Sequence, residues 1–197
     1  MKKIDYRKEL KQLYFASTKE PTIVKVPAMN FLMIDGKGHP SEQEFQDAAG
    51  TIYPVAYTMK FMIRPRIDID YRIMLLELLW TLNRERKTFR WTMLQMQPKY
   101  VTKQLYNEAL EKLALKQTLP SILKLRFEKF DEGLCAQIMH KGHYEKMNET
   151  LEILLNFIKS KGYSSMKDTH DIYLNDFRKT KPENLKTIVR LKINKTL

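Results

Sequence analysis

Near the C-terminal end of the 197-residue chain, His170-Asp171-Ile172-Tyr173-Leu174 sets an acid and a phenol two residues apart between apolar positions. On an extended strand alternate side chains share a face, so Asp171 and Tyr173 point one way and Ile172 and Leu174 the other. A carboxylate in such company must be solvated, paired or held ready for something that binds, because burying it bare is costly. Two chemistries suit it. Beneath aromatic faces it would attract a flat cation, since Coulomb attraction and cation–π contact both strengthen when water is excluded. It could instead deprotonate a water, and burial that raises its pKa would improve it as a base near neutrality. Glu77 is the one acid in a second apolar stretch, Tyr71 to Trp80. His39, His143 and His170 lack metal-ligand spacing and Cys135 is solitary, so no zinc site and no cofactor are expected.

The elements that must position these residues follow from periodicity. Tyr6, Leu10, Leu13 and Tyr14 have helical spacing and predict a short packing arm over residues 1–20. Pro21 to Val26 and Met29 to Ile34 read as strands. Ser41 to Glu44 has the Ser-x-x-Glu form of a capping box, ahead of a helix carrying Phe45, Ala48, Ala49, Ile52, Ala56 and Met59. Pro54 inside it predicts a kink or break near Gly50 to Pro54. Tyr71 to Trp80 fits strand or helix. Phe89 to Gln97 alternates as a strand ended by Pro98, and Thr102 caps a helix with Leu105, Ala109, Leu110 and Leu113 on one face. His170 to Asn175 and Leu185 to Ile193 close the chain as strands, and Asp176-Phe177-Arg178 as a turn in which Arg178 pairs with an acid.

The pattern repeats. Pro21 to Val26 matches Pro120 to Leu125 in residue character at every position, and Lys37-Gly38-His39 recurs as Lys141-Gly142-His143. A helix follows each landmark, the second with Tyr144, Met147, Leu151, Leu154, Leu155 and Ile158 at helical spacing. The expected organisation is an α+β domain over 1–197, with a first repeat at 21–118 that includes an extra helix and a second at 120–197. Two copies that each expose an apolar sheet face must cover it jointly, and a groove between pseudo-symmetric halves is the expected ligand site.

Bulk properties narrow the classes. An apolar content of 43% supports a substantial core. The formal charge of +12 is dispersed, which favours encounter with anions in general. Without a groove-reading helix, an aromatic RNA platform or a basic stripe, direct nucleic-acid recognition is not expected. The lone cysteine excludes an internal disulfide, no run reaches the roughly 18 apolar residues of a membrane span, and the N-terminus has no apolar leader core. A cytoplasmic protein without membrane association is expected, its oligomeric state left open.

Several stretches together resemble the GyrI-like small-molecule-binding domains, related to the effector-binding domains of multidrug-sensing transcription activators and to the gyrase inhibitory protein. They are Tyr6 to Tyr14, Met33 to Gly38, Tyr53 to Lys60, Trp91-Thr92-Met93 with Met96-Gln97-Pro98, and His170 to Arg178. The resemblance implies a tandem β-α-β-β duplication with pseudo-two-fold symmetry, a largely antiparallel sheet and a ligand between the repeats. It implies an aromatic pocket around an acid that serves drug-sensing relatives as counter-ion for lipophilic cations. It also implies an alternative, since some stand-alone relatives are hydrolases that open the cyclopropane of DNA-alkylating antibiotics. The family's Leu-Glu-Gly-Leu-Trp-Trp meets Leu76 to Thr81, keeping Glu77 and Trp80 but not the glycine or second Trp. Its His-His-Glu-Ile-Tyr-Leu meets Thr169 to Leu174, with Asp171 for Glu, and its Gly-Pro-Tyr meets Gly142-His143-Tyr144. The expected site is then Asp171 and Glu77 as acid or base, with Tyr57, Trp80, Trp91, Tyr144 and Tyr173 around the ligand and Tyr57 or Tyr173 as donor. The ligand is expected to be hydrophobic and cationic or DNA-active. A second alternative is a regulatory module that associates with protein or DNA, as in the gyrase inhibitory relative.

Overall fold

The computed structural model describes residues 1–83, 88–176 and 178–196. The chain begins with strand β1 (Lys2–Ile4) and two short helices, α1 (Tyr6–Glu9) and α2 (Lys11–Tyr14). Asp5 caps α1 by accepting the Arg7 N–H at 3.1 Å. Leu13 and Tyr14 are buried, so the arm packs as its spacing predicts.

Next come β2 (Thr22–Val26), β3 (Met29–Lys37), the long helix α3 (Gln43–Ile67) and β4 (Ile69–Tyr71), which pairs in parallel with β1. The capping box does not form. Glu42 occupies the cap position without a side-chain bond into the helix. Its carboxylate accepts the His39 N–H at 2.7 Å, Ser41 bonds the His39 ring at 2.8 Å, and Glu44 pairs with Lys124. The polar groups are spent on the preceding turn and on a distant lysine. Nor does Pro54 break α3, which runs through it. The proline forfeits one bond to the Gly50 carbonyl, and the buried face of Ala48, Ile52, Val55, Ala56 and Met59 outweighs that loss.

The ambiguous stretch after α3 resolves into β4, an irregular link and strand β5 (Glu77–Asn83), paired with β6 (Thr88–Gln97). Helix α4 (Lys103–Ala114) is capped by Thr102, which accepts the Leu105 N–H at 3.2 Å, as predicted. Strands β7 (Arg126–Phe130) and β8 (Gly133–Lys141), helix α5 (Met147–Ser160), and strands β9 (Tyr163–Ser165), β10 (Thr169–Tyr173) and β11 (Lys186–Lys195) complete the chain. Arg178 binds Asp176 through two nitrogens at 3.0 and 2.9 Å. Phe177, within that predicted turn, lies outside the described residues.

The antiparallel sheet runs β2-β8-β11-β10-β5-β6-β3-β7, with β9 on β11. Exchanging β2 with β7, β3 with β8, β5 with β10 and β6 with β11 returns the same order read from the other end. That symmetry is compatible with the duplication, but the match of Pro21 to Val26 with Pro120 to Leu125 is not its register: Ile122–Lys124 forms a 3-10 turn, and the counterpart of β2 is β7. Only Pro27 and Ala28 separate β2, at one edge, from β3, beside the opposite edge. Three Cα steps span at most about 11 Å, so the sheet must curl until its edges approach.

Curling gives the sheet an inside and an outside, both buried. Phe31, Met33, Leu94, Cys135, Ile172 and Ile188 pack inside, closed by Leu13 and Tyr14 of the arm. Outside, α3 and α4 cover Leu32, Ile34, Trp91 and Met93, while α5 covers Ala136, Ile138, Val189 and Leu191. Between α3 and α5, over β5 and β10, a groove remains.

Candidate ligand-binding groove

The groove has a volume of ≈ 2480 Å³. Helix α3 contributes Phe45, Ala49, Gly50, Tyr53 and Tyr57, α5 contributes Leu151 and Leu155, and the sheet contributes Trp80, Asp171, Tyr173 and Val189. The sheet residues follow from the pleat: Asp171 and Tyr173 are two apart on β10, and Val189 is the register partner of Asp171 on β11.

Asp171 is the acid of this face. It is 5% exposed, and its Oδ1 has no hydrogen-bond partner among the described residues. Burial pushes its carboxyl up to about 7, against the pull of the neighbouring His170 charge. The Tyr173 hydroxyl accepts from Trp80 Nε1 at 3.3 Å, which leaves its own proton free to donate. Burial, and then the Asp171 charge, hold that phenol protonated. Tyr144 stands edge-on to Tyr173, with centroids 6.0 Å apart at 84°, and Trp80 edge-on to Phe89 at 6.1 Å. Tyr57, half exposed on α3, stacks on Phe61 at 6.1 Å.

Asp171, Tyr57, Trp80, Tyr144 and Tyr173 thus line one space, which Glu77 and Trp91 do not share. Trp91 is opposite Trp80 in register, yet Phe45 packs edge-on against it at 5.2 Å and Gly36 lies so close to its ring that a Cβ there would clash. It is a wall behind the groove. Glu77 pairs with Ile172 in register and faces the inside of the curl, where it accepts from the Tyr14 hydroxyl at 2.9 Å and lies 2.9 Å from His170 Nε2. Tyr71 to Trp80 is part link and part strand, and on a strand residues three apart point to opposite faces.

Three inner polar residues escaped the sequence reading. Glu132, in the β7–β8 turn, lies 3.0 Å from His170 Nδ1 and accepts from Arg190 at 3.1 Å, while Arg190 Nε donates to Gln137 at 3.0 Å. The available signal was Arg190 itself, a cation between Val189 and Leu191 and two residues from Ile188 on its own face of the strand. No group of three or more His, Cys, Asp or Glu among the described residues is arranged to hold a metal ion. No described helix is long and apolar enough to cross a membrane.

Residues 103–194 match the family model of the GyrI-like small molecule binding domain. An uncharacterised conserved protein from Listeria innocua is 34% identical in its crystal structure, superposes with a TM-score of 0.89, and covers 97% of this chain and 100% of its own. A hydrolase from Listeria innocua is 33% identical with a TM-score of 0.87, over 97% of this chain and 100% of that one. The EcmrR C-terminal domain, 10% identical with a TM-score of 0.54 over 90% and 98% of the two chains, shares the fold. No curated protein matches the chain. A match to the second half of the chain, a full-length relative above 30% identity and a groove of this construction make the chain a member of the GyrI-like small-molecule-binding domain family.

Proposed function

We propose that the groove captures a lipophilic, cationic small molecule, with Asp171 as its counter-ion and Tyr57, Trp80, Tyr144 and Tyr173 as its aromatic walls. The observation that carries this is the Asp171 carboxyl, enclosed among apolar and aromatic side chains with Oδ1 unpartnered. A carboxyl held near 7 shares its proton with solvent at neutral pH. An arriving cation favours the ionised form and displaces that proton, so binding releases a proton and weakens about tenfold per pH unit below 7. Calorimetry with ethidium, a planar cation, tests this at pH 6 and pH 8. Tighter binding at pH 8 and its loss in Asp171→Asn are expected, whereas undiminished binding by that variant rejects the reading.

A second reading is hydrolysis of a cyclopropane conjugated to a carbonyl. It is favoured by a carboxyl poised near neutrality beside a protonated phenol, in a chain 33% identical to a protein described as a hydrolase. Asp171 would take a proton from water as its oxygen bonds to a ring carbon. The ring C–C bond would break towards the conjugated carbonyl, whose oxygen takes a proton from Tyr173 or Tyr57. Asp is one methylene shorter than the family's Glu, and small misplacements cost catalysis more than binding. Mass spectrometry of a spirocyclopropyl dienone incubated with the protein decides it: the gain of one water supports hydrolysis, and intact substrate removes it.

A further inference from the structure

The strand that presents Asp171 to the groove presents His170 to the inside of the curl, where Glu77, His170, Glu132 and Arg190 form a row of alternating charge. His170 and Arg190 are register partners on β10 and β11, so two cationic side chains face each other directly. Glu132 reconciles them with one oxygen on each, at 3.0 and 3.1 Å. Glu77 takes the other ring nitrogen at 2.9 Å and is fixed by Tyr14 of the arm. Each of the four residues is 3% exposed or less. Burial opposes the His170 proton, but the Glu132 and Glu77 carboxylates overcome it and hold the imidazole up to about 9.

A desolvated row of this kind is a poor source of stability, since well-packed apolar residues of similar volume often do as well or better. Its placement offers another task. His170 precedes Asp171, and Arg190 follows Val189, the residue opposite Asp171. Facing Asp171 in the groove are the titratable phenols Tyr173 and Tyr144, with Tyr53 and Tyr57 on α3, and the uncharged Trp80, Val189, Leu151 and Leu155. The charged and titratable side chains that also line the groove are Arg7 and Arg72, both bound to Asp5, Lys60, bound to Asp70, Arg178, bound to Asp176, and His39, Glu145 and Lys167. Among the described residues, the charge that draws Asp171 towards its anionic form is behind it.

We propose that the inner row is the electrostatic backing of the groove: His170, charged and locked on the reverse of β10, is a positioning residue that favours the anionic form of Asp171 and so sets a preference for cations over neutral ligands. The link to ligand preference rests on the cation-binding reading, whereas the effect on Asp171 does not.

The test is a carboxyl-carbon NMR titration of Asp171 in the ligand-free protein. His170→Gln should raise the Asp171 midpoint by about one pH unit, a tenfold fall in its ionisation constant. An unmoved midpoint overturns the proposal. Because the single variant leaves two acids to one arginine, Glu77→Gln with His170→Gln provides a charge-balanced version that retains the Glu132–Arg190 pair. The same rise is expected there, and its absence is equally fatal. Ethidium affinity at pH 6 should fall about tenfold alongside the shift, following the ionised fraction. A midpoint that moves in a protein that binds no cation would leave the electrostatic inference standing and remove the binding reading.

Discussion

The two faces of β10 hold neighbouring ionisable residues in opposite conditions. On the inside, His170 has a carboxylate on each ring nitrogen, and its partner Glu132 is held down to about 2 by the His170 and Arg190 charges despite burial. On the groove side, Asp171 has no partner for Oδ1, and burial pushes it up to about 7. One strand thus carries a satisfied network and an unsatisfied acid one residue apart. Burial alone does not mark a functional group, nor does a missing partner, since Trp91 Nε1 also has none among the described residues; Asp171 is set apart by lacking a partner while lining an open groove.

The largest expected effect comes from breaking the satisfied side. Glu132→Ala leaves His170 and Arg190 opposed without their shared acid and should cost about 3–5 kcal/mol in denaturant unfolding. A loss below about 1 kcal/mol would mean the row is softer than its geometry.

The unsatisfied side should behave in the reverse sense. The Asp171 carboxyl is raised from 3.8 to about 7 in the fold, so the native state holds an extra proton and stability falls as pH rises through that window. Asp171→Asn should therefore stabilise the protein by about 1–3 kcal/mol at pH 8 and by little at pH 4, while abolishing cation binding. Equal melting temperatures of variant and wild type at pH 8 would contradict the assignment.

The pH dependence of the wild type sharpens the contrast further. Glu132, lowered from 4.5 to about 2, contributes stability that is full above 4.5 and lost as pH falls towards 2. His170, raised from 6.5 to about 9, contributes stability that is full below 6.5 and lost as pH rises through 9. Unfolding free energies across this range should show losses at both extremes, and only the decline between about 4 and 7 should vanish in Asp171→Asn.

The smallest effect tests the groove wall. A Cβ on Gly50 would meet nothing within 4 Å. Gly50→Ala should stabilise α3 by about 0.5–1 kcal/mol and leave binding intact, whereas Gly50→Trp should narrow the groove and weaken ethidium binding without unfolding the protein.

Much of this was legible in the residues, where local rules apply. The alternation of β10 placed Asp171 and Tyr173 on one face and Ile172 on the other, as observed. The Thr102 cap and the alternating strand from Phe89 to Gln97 also appear as read. The capping box failed because its side chains found partners outside the helix, which no window around Ser41 reveals. Glu77 and Trp80 could share a site only on a helix, where residues three apart share a face; as a strand, the segment turns them apart.

The sequence by itself determined the period of several elements and the placing of Asp171 and Tyr173 on one face of a strand, because these depend on backbone geometry over a few residues. Only the tertiary structure decided which face became a groove and which an interior. That depends on two-residue links pulling the edges of the sheet together and on two helices set far enough apart to leave β5 and β10 uncovered. The inner row depends on it most: Glu77, Glu132, His170 and Arg190 span more than a hundred residues of chain, and only the curl of the sheet brings them into contact.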